Sequence, residues 1–268
     1  MKANPFTVTW FATASLRLEV AGLALLFDPF VPLPGAANSL AIDDFLPAPH
    51  IFVTHGHFDH VASIPELVRQ GGGLVYAPVT ASQALSKQGV ELQSLHPVSP
   101  GDELVFNAAD VTPVVVKVKR GRHIRFDLPL VLSTLFSPRM LKAPDNVRLI
   151  LSYNKVYREN NQTLVYEVSC GDTLITLLGS PSLDDNESYT QSPDLLILPF
   201  QGHTNLSPIA LAIVKRLMPK AVMLHHFDDT FPPVSRNVGT GLFIKLMAER
   251  FPEIEVVVPN RSEQFSVG

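Results

Sequence analysis

Ile51-Phe52-Val53-Thr54-His55-Gly56-His57-Phe58-Asp59-His60 puts three imidazoles and one carboxylate within six residues, directly behind a short apolar run. The run reads as a buried strand that delivers the chain into the cluster. Alternate side chains of an extended segment share a face, so His55 and His57 point the same way, with Asp59 and His60 on the turn that follows. One segment thereby offers two imidazoles to one cation, and a carboxylate with an imidazole to a second. Such donors suit Zn²⁺ best, with Mn²⁺ or Fe²⁺ as alternatives, and no cysteine lies nearby to bias the choice. A solvated loop is the competing reading for any single histidine. Four donors at this spacing argue against it.

Working outward, the 268 residues are 46% apolar and 17% charged, which supports a sizeable core and excludes a disordered chain. The net charge of −4 and the lack of a Lys/Arg run disfavour sequence-independent nucleic-acid binding. Cys170 stands alone in an apolar-alternating stretch and reads as a buried structural thiol. The stretch Met1 to Phe6 lacks the apolar run of a signal peptide, and no run approaches the roughly 20 residues of a membrane span. A cytoplasmic protein with a small-molecule substrate is therefore expected, without a nucleic-acid or membrane partner and with a homo-oligomer allowed.

Strand-like segments are expected at 6–10, 16–20, 23–27, 51–53, 74–77, 111–119, 164–169, 173–178, 194–200, 221–224 and 255–258, the last closing the chain. Helices are expected at 64–70, 80–88, 208–218 and 240–251, and Gly171-Asp172 reads as a hairpin turn. This alternation favours an α/β fold with sheets covered by helices. The stretch from about 130 to 161 fits least well and reads as an insertion over the site.

His55-Gly56-His57-Phe58-Asp59-His60 resembles the H-x-H-x-D-H signature of the metallo-β-lactamase superfamily. Leu25-Leu26-Phe27-Asp28-Pro29 is similar to that family's early strand, whose aspartate supports the metal loop. Val222-Met223-Leu224-His225-His226-Phe227 is similar to the strand supplying the last histidine ligand. Pro193 to Pro199 resembles the ascorbate-phosphate lactonase-like branch. The resemblance implies a four-layer αββα sandwich forming a single domain over 1–268, with one or two metal ions at a sheet edge.

It further implies that His55, His57 and a later histidine hold one ion. His123, behind the expected strand at 111–119, is favoured over His96 for that place. Asp59 and His60 would hold a second ion with His226, which is favoured over His225. The family's bridging aspartate has two competing positions, Ser180 and Asp172, with Asp184, Asp185, Asp228 or Asp229 as substitutes and Asp28 in support. Arg122, between Arg120 and Arg125, is expected to meet an anionic substrate group. His203 is either a substrate contact or a loop histidine before a helix capped by Ser207 and begun by Pro208.

The implied chemistry is hydrolysis of a lactone or another ester, including one on a phosphorylated small molecule, by a metal-bound hydroxide. With a single ion, Asp59 becomes a candidate general base. Phosphodiester cleavage is the runner-up, and a metal-binding protein with degenerate catalysis is the reading that Ser180 favours. A di-iron oxidoreductase is disfavoured by His57, where that branch typically has a glutamate.

Overall fold

The alternating first third of the chain folds into one sheet. In the computed structural model, which describes residues 6–37, 39–107 and 112–268, β1 (Phe6–Ala12), β2 (Ser15–Val20) and β3 (Leu23–Phe27) form an antiparallel meander. β4 (His50–Phe52), β5 (Leu74–Pro78) and β6 (Leu95–Val98) extend it in parallel. The second sheet repeats the plan. β7 (Glu103–Phe106), β8 (Val114–Arg120), β9 (Leu164–Cys170) and β10 (Thr173–Leu178) pair antiparallel in chain order. β11 (Leu195–Pro199), β12 (Ala221–His225) and β13 (Glu255–Val257) then add in parallel. β14 (Gln264–Val267) returns to pair with β1, so the strand expected at 255–258 does not close the chain.

Parallel pairing needs a long crossover, and the helices sit in those crossovers. α1 (Phe58–Val61), α2 (Ile64–Arg69) and α3 (Val79–Lys87) serve the first sheet, and α6 (Leu206–Leu217) and α7 (Gly241–Arg250) the second. α4 (Leu128–Leu135) and α5 (Pro144–Val156) fill the stretch expected as an insertion.

Three apolar clusters separate the four layers. Phe6, Trp10, Phe27, Phe52, Tyr166, Ile197 and Met223 lie in the cluster shared by the two sheets. Ile51, Val61, Leu67 and Leu85 bury the outer face of the first sheet under its helices, and Leu198, Leu211, Val214 and Phe243 do so for the second. This is an αββα sandwich. Cys170 is buried, and its Sγ donates to the Thr112 carbonyl at 3.4 Å.

Two expected boundaries moved. The strand expected from Val111 begins at Val114, Val111 and residues 1–5 lying outside the described residues. The helix expected from Pro208 begins at Leu206 with Asn205 as its N-cap, which puts Ser207 and Pro208 inside the first turn. A helix tolerates proline there because first-turn N–H groups have no intrahelical partner.

The segments that matter for function all follow carboxyl ends of strands: Asp28 after β3, Thr54 to His60 after β4, His123 after β8, Gly179-Ser180 after β10 and His226 after β12. The loop after β4 is pinned across the sheets, since Leu164 N donates to the Thr54 carbonyl at 2.8 Å and the Tyr166 hydroxyl to the Val53 carbonyl at 2.7 Å. Packing there leaves no room for a Cβ at position 56, which would collide with the backbone carbonyl of Arg158. Gly56→Ala is expected to cost about 1–3 kcal/mol in urea unfolding. Gly239→Ala, with open space around it, should change stability by less than about 0.5 kcal/mol. Equal stabilities for the two variants would contradict this account of the loop.

Candidate metal centre

The centre is organised by one buried carboxylate. Asp28, at φ +45°, receives the backbone N–H of Thr54 on Oδ1 at 2.8 Å and the Thr54 hydroxyl on Oδ2 at 2.7 Å. The same Oδ2 lies 2.8 Å from His60 Nδ1. Because the Thr54 hydroxyl spends its proton on Asp28, it can only accept from His55 Nδ1, 3.1 Å away. These hydrogen bonds fix tautomers: His55 and His60 carry their protons on Nδ1 and turn Nε2 the other way. His123 follows the same rule by a different device, with Nδ1 against the carbonyl of Ile124 at 2.6 Å.

The exposed lone pairs converge in two trios. Ligand atoms of His55, His57 and His123 lie within 4.8 Å of one another, and so do those of Asp59, His60 and His226. His55 Nε2 is 3.1 Å from His57 Nδ1, and Asp59 Oδ2 is 3.1 Å from His226 Nε2 and 3.8 Å from His60 Nε2. Ligands of one tetrahedral ion with bonds near 2.1 Å stand roughly 3.4 Å apart. The trios adjoin, the His55 and His60 ring centroids being 3.9 Å apart.

The donors fit a divalent ion chemically as well. Burial, reinforced by neighbouring imidazoles, pushes His55 well below the ordinary histidine range. Burial brings His57 down to about 4 against the opposing pull of Asp59, and lowers His123 too. Burial alone would raise the Asp59 carboxyl, but His60, His226 and His57 outweigh it and hold it well below the usual carboxylate range. The first trio is thus neutral and ready to bind, and Asp59 is ionised. His60 differs: burial disfavours its charge, yet Asp28 and Asp59 together hold its pKa above the ordinary value. His226, at φ +59°, is anchored by its backbone N–H to the Thr13 carbonyl at 2.8 Å. Its buried Nδ1 has no hydrogen-bond partner among the described residues.

The remaining candidates fall elsewhere. His96 is exposed on β6, and His225 is buried at the end of β12, outside both trios. Asp172 is exposed at the β9–β10 turn, whereas Ser180 is buried at the opposite end of β10, where a Cβ on Gly179 would stand 2.5 Å from that of Thr54. Ser180 Oγ accepts the backbone N–H of Ile124 at 2.9 Å, so it steadies the loop that carries His123. None of Asp184, Asp185, Asp228 and Asp229 joins a trio; Asp228 accepts from Thr13 N and Asp229 pairs with Arg139. Arg122 faces Asp185 at 3.8 Å rather than the centre. His203 Nδ1 accepts the N–H of Asn205 ahead of α6, and the adjacent Thr204 bonds Asp127. Glu159, which the sequence reading missed, bears electrostatically on His57 and His123.

Residues 24–148 match the family model described as a beta-lactamase superfamily domain. Over this stretch the chain is similar to the beta-lactamase superfamily. It is 27% identical over 259 residues to a "UPF0173 metal-dependent hydrolase" of Methanobrevibacter smithii, covering 96% of this chain and 95% of that protein. Its fold is similar to that of Igni18, a metallo hydrolase from Ignicoccus hospitalis (TM-score 0.63, 17% identity, 98% of each chain covered). It is also similar to the isothiocyanate hydrolase from Delia radicum gut bacteria (TM-score 0.59, 14% identity, 97% and 98% covered).

Two measurements test this centre. Asp28→Asn presents an amide to donors and unfixes both tautomers, so metal affinity should fall about 10- to 100-fold in competition with a chromophoric chelator. Unchanged affinity would remove Asp28 from its supporting place. The pH dependence should also separate the trios. Burial lowers all three histidines of the first, with His57 taking up a proton only towards pH 4, so its Zn²⁺ affinity should depend on pH less steeply from about pH 8 to 6 than that of free imidazole. His60 must release a proton held above the ordinary value, so affinity of the second trio should already fall as the pH drops through that range. A first site that weakens like free imidazole near pH 6.5 would contradict the burial argument.

Proposed function

We infer that this metal-dependent hydrolase cleaves a lactone or another carboxylic ester, with His55, His57 and His123 holding one ion and Asp59, His60 and His226 a second. The observation that carries the reading is the pair of adjoining trios, in which His55, His60 and His123 have fixed tautomers. When bound, Zn²⁺ or a similar ion supplies acidified water and polarises the substrate's carbonyl oxygen.

The chain's own groups do the rest. Asp28 and Thr54 hold the imidazoles in one orientation, which lowers the reorganisation needed at the moment of reaction. Asp59 serves better as a ligand than as a general base, because a carboxylate with so low a pKa accepts protons weakly at neutral pH. Phe126, its ring centroid 5.5 Å from that of His123, supplies an apolar wall suited to the hydrocarbon part of an ester. Arg122 faces Asp185, so the reading rests on the centre and not on recognition of a phosphate.

Chelator-stripped protein should hydrolyse neither a panel of γ- and δ-lactones and p-nitrophenyl esters nor bis(p-nitrophenyl) phosphate. Reloading with Zn²⁺ or Mn²⁺ should restore ester or lactone hydrolysis, and His55→Ala should lower kcat/KM by at least about 10³-fold. Recovery of phosphodiester cleavage alone would overturn the ester assignment. Failure to bind any added ion would overturn the whole reading.

A further inference from the structure

α4 reads Leu128-Pro129-Leu130-Val131-Leu132-Ser133-Thr134-Leu135, and not one of its residues is buried. Leu128 is 67% exposed and Leu135 59%, and the next residue, Phe136, is 82% exposed. Phe126, Val131, Leu132 and Leu141 are exposed on the same segment. A surface helix of a globular protein buries one apolar stripe, whereas a helix apolar around most of its circumference belongs in a core or in lipid. A contiguous exposed patch of this kind marks a contact surface.

Charge selects the partner. Residues 120–158 carry eight Lys/Arg against only Asp127 and Asp145, a local balance of +6 in a chain whose net charge is −4. Arg139 is committed to Asp229, but Arg125, Lys142, Lys155 and Arg158 are exposed and form no ion pair among the described residues. A segment that carries both an apolar helix and unpaired cations combines hydrocarbon insertion with attraction to anionic headgroups. A second copy of the chain would supply net negative charge, but it would cover one side of α4 and leave the other wet.

We propose that α4 and the basic segment around it form a docking surface for an anionic lipid bilayer, with α4 lying in the interface. The expectation of no membrane partner rested on the lack of a spanning run. No helix among the described residues is long and apolar enough to cross a membrane, which says nothing against one that lies on it. The surface adjoins the metal centre through Phe126 and His123. It does not depend on the hydrolytic reading, because lipid contact and ester cleavage are measured separately.

Co-sedimentation of the full chain with sucrose-loaded vesicles tests this. Vesicles of phosphatidylcholine mixed with phosphatidylserine should pellet the protein, with affinity at least about tenfold above that for phosphatidylcholine alone. Leu132→Asp/Leu135→Asp/Phe136→Asp should abolish pelleting while leaving the circular dichroism spectrum and Tm unchanged, since α4 buries no side chain. Lys142→Glu/Lys155→Glu should weaken binding to the mixed vesicles by at least about tenfold and have little effect on the residual binding to phosphatidylcholine. The proposal is overturned if the wild type stays in the supernatant with mixed vesicles, or if the triple aspartate variant pellets as well as the wild type. A dimer that the triple variant converts to monomers, without vesicle binding, would assign the patch to a second copy instead.

Discussion

The arrangement of this centre depends on a carboxylate that stands outside both trios, behind the imidazole of His60. Asp28 is fully buried, and its two oxygens accept from the Thr54 backbone, the Thr54 hydroxyl and His60. A buried anion is stable only when it is so surrounded, and truncating any one donor would leave it uncompensated. The demand runs in both directions: Asp28 needs these donors, and the donors lose their orientation without it. Because Thr54 can donate only once, its commitment to Asp28 forces His55 to be the donor in the next bond along. One proton inventory thus sets which nitrogen of two imidazoles is free.

The scaffold supplies the convergence. Strands of both sheets end on the same side, and each delivers one part of the centre in the residues just beyond its last hydrogen-bonded pair. Left-handed backbone at Asp28 and His226 turns the chain sharply at two of these ends. Such conformations cost free energy in non-glycine residues and persist where neighbours over-determine them. Here the neighbours are visible: Asp28 N donates to Phe52 O at 2.9 Å and His226 N to Thr13 O at 2.8 Å. Rigidity at these turns fixes the first coordination positions more closely than a flexible loop would.

Much of this was legible in the residues, for reasons that also mark where legibility stopped. Strands such as Leu23–Phe27 and Thr173–Leu178 are buried and bounded by turns, so periodicity locates them within a residue. His55, His57, Asp59 and His60 are local in sequence, and short-range spacing is what one sequence carries best. β6 and β7 are short and largely exposed or half-buried, so they lack that pattern. Glu159 meets the histidines only through tertiary folding. The stretch at 126–136, most of it within the part expected as an insertion, is a different case: only the fold reveals that nothing among the described residues covers its apolar side chains. The choice between Asp172 and Ser180 needed the hairpin itself, because the two stand at opposite ends of β10.

That last placement sets the electrostatics of the centre. Two divalent ions would bring four positive charges to a set of donors containing one carboxylate, Asp59, backed by Asp28 behind His60. A carboxylate at position 180 would have shared the load between the ions; a hydroxyl already occupied by Ile124 N–H does not. Mutual repulsion between ions a few ångströms apart in a buried site then falls mainly on whichever binds second. The first trio needs no proton release and binds at little cost, while the second must displace the proton that Asp28 and Asp59 favour on His60. Both effects act in the same direction, so occupancy would be graded. The trio of His55, His57 and His123 would fill first, and the trio of Asp59, His60 and His226 at higher metal concentration or higher pH.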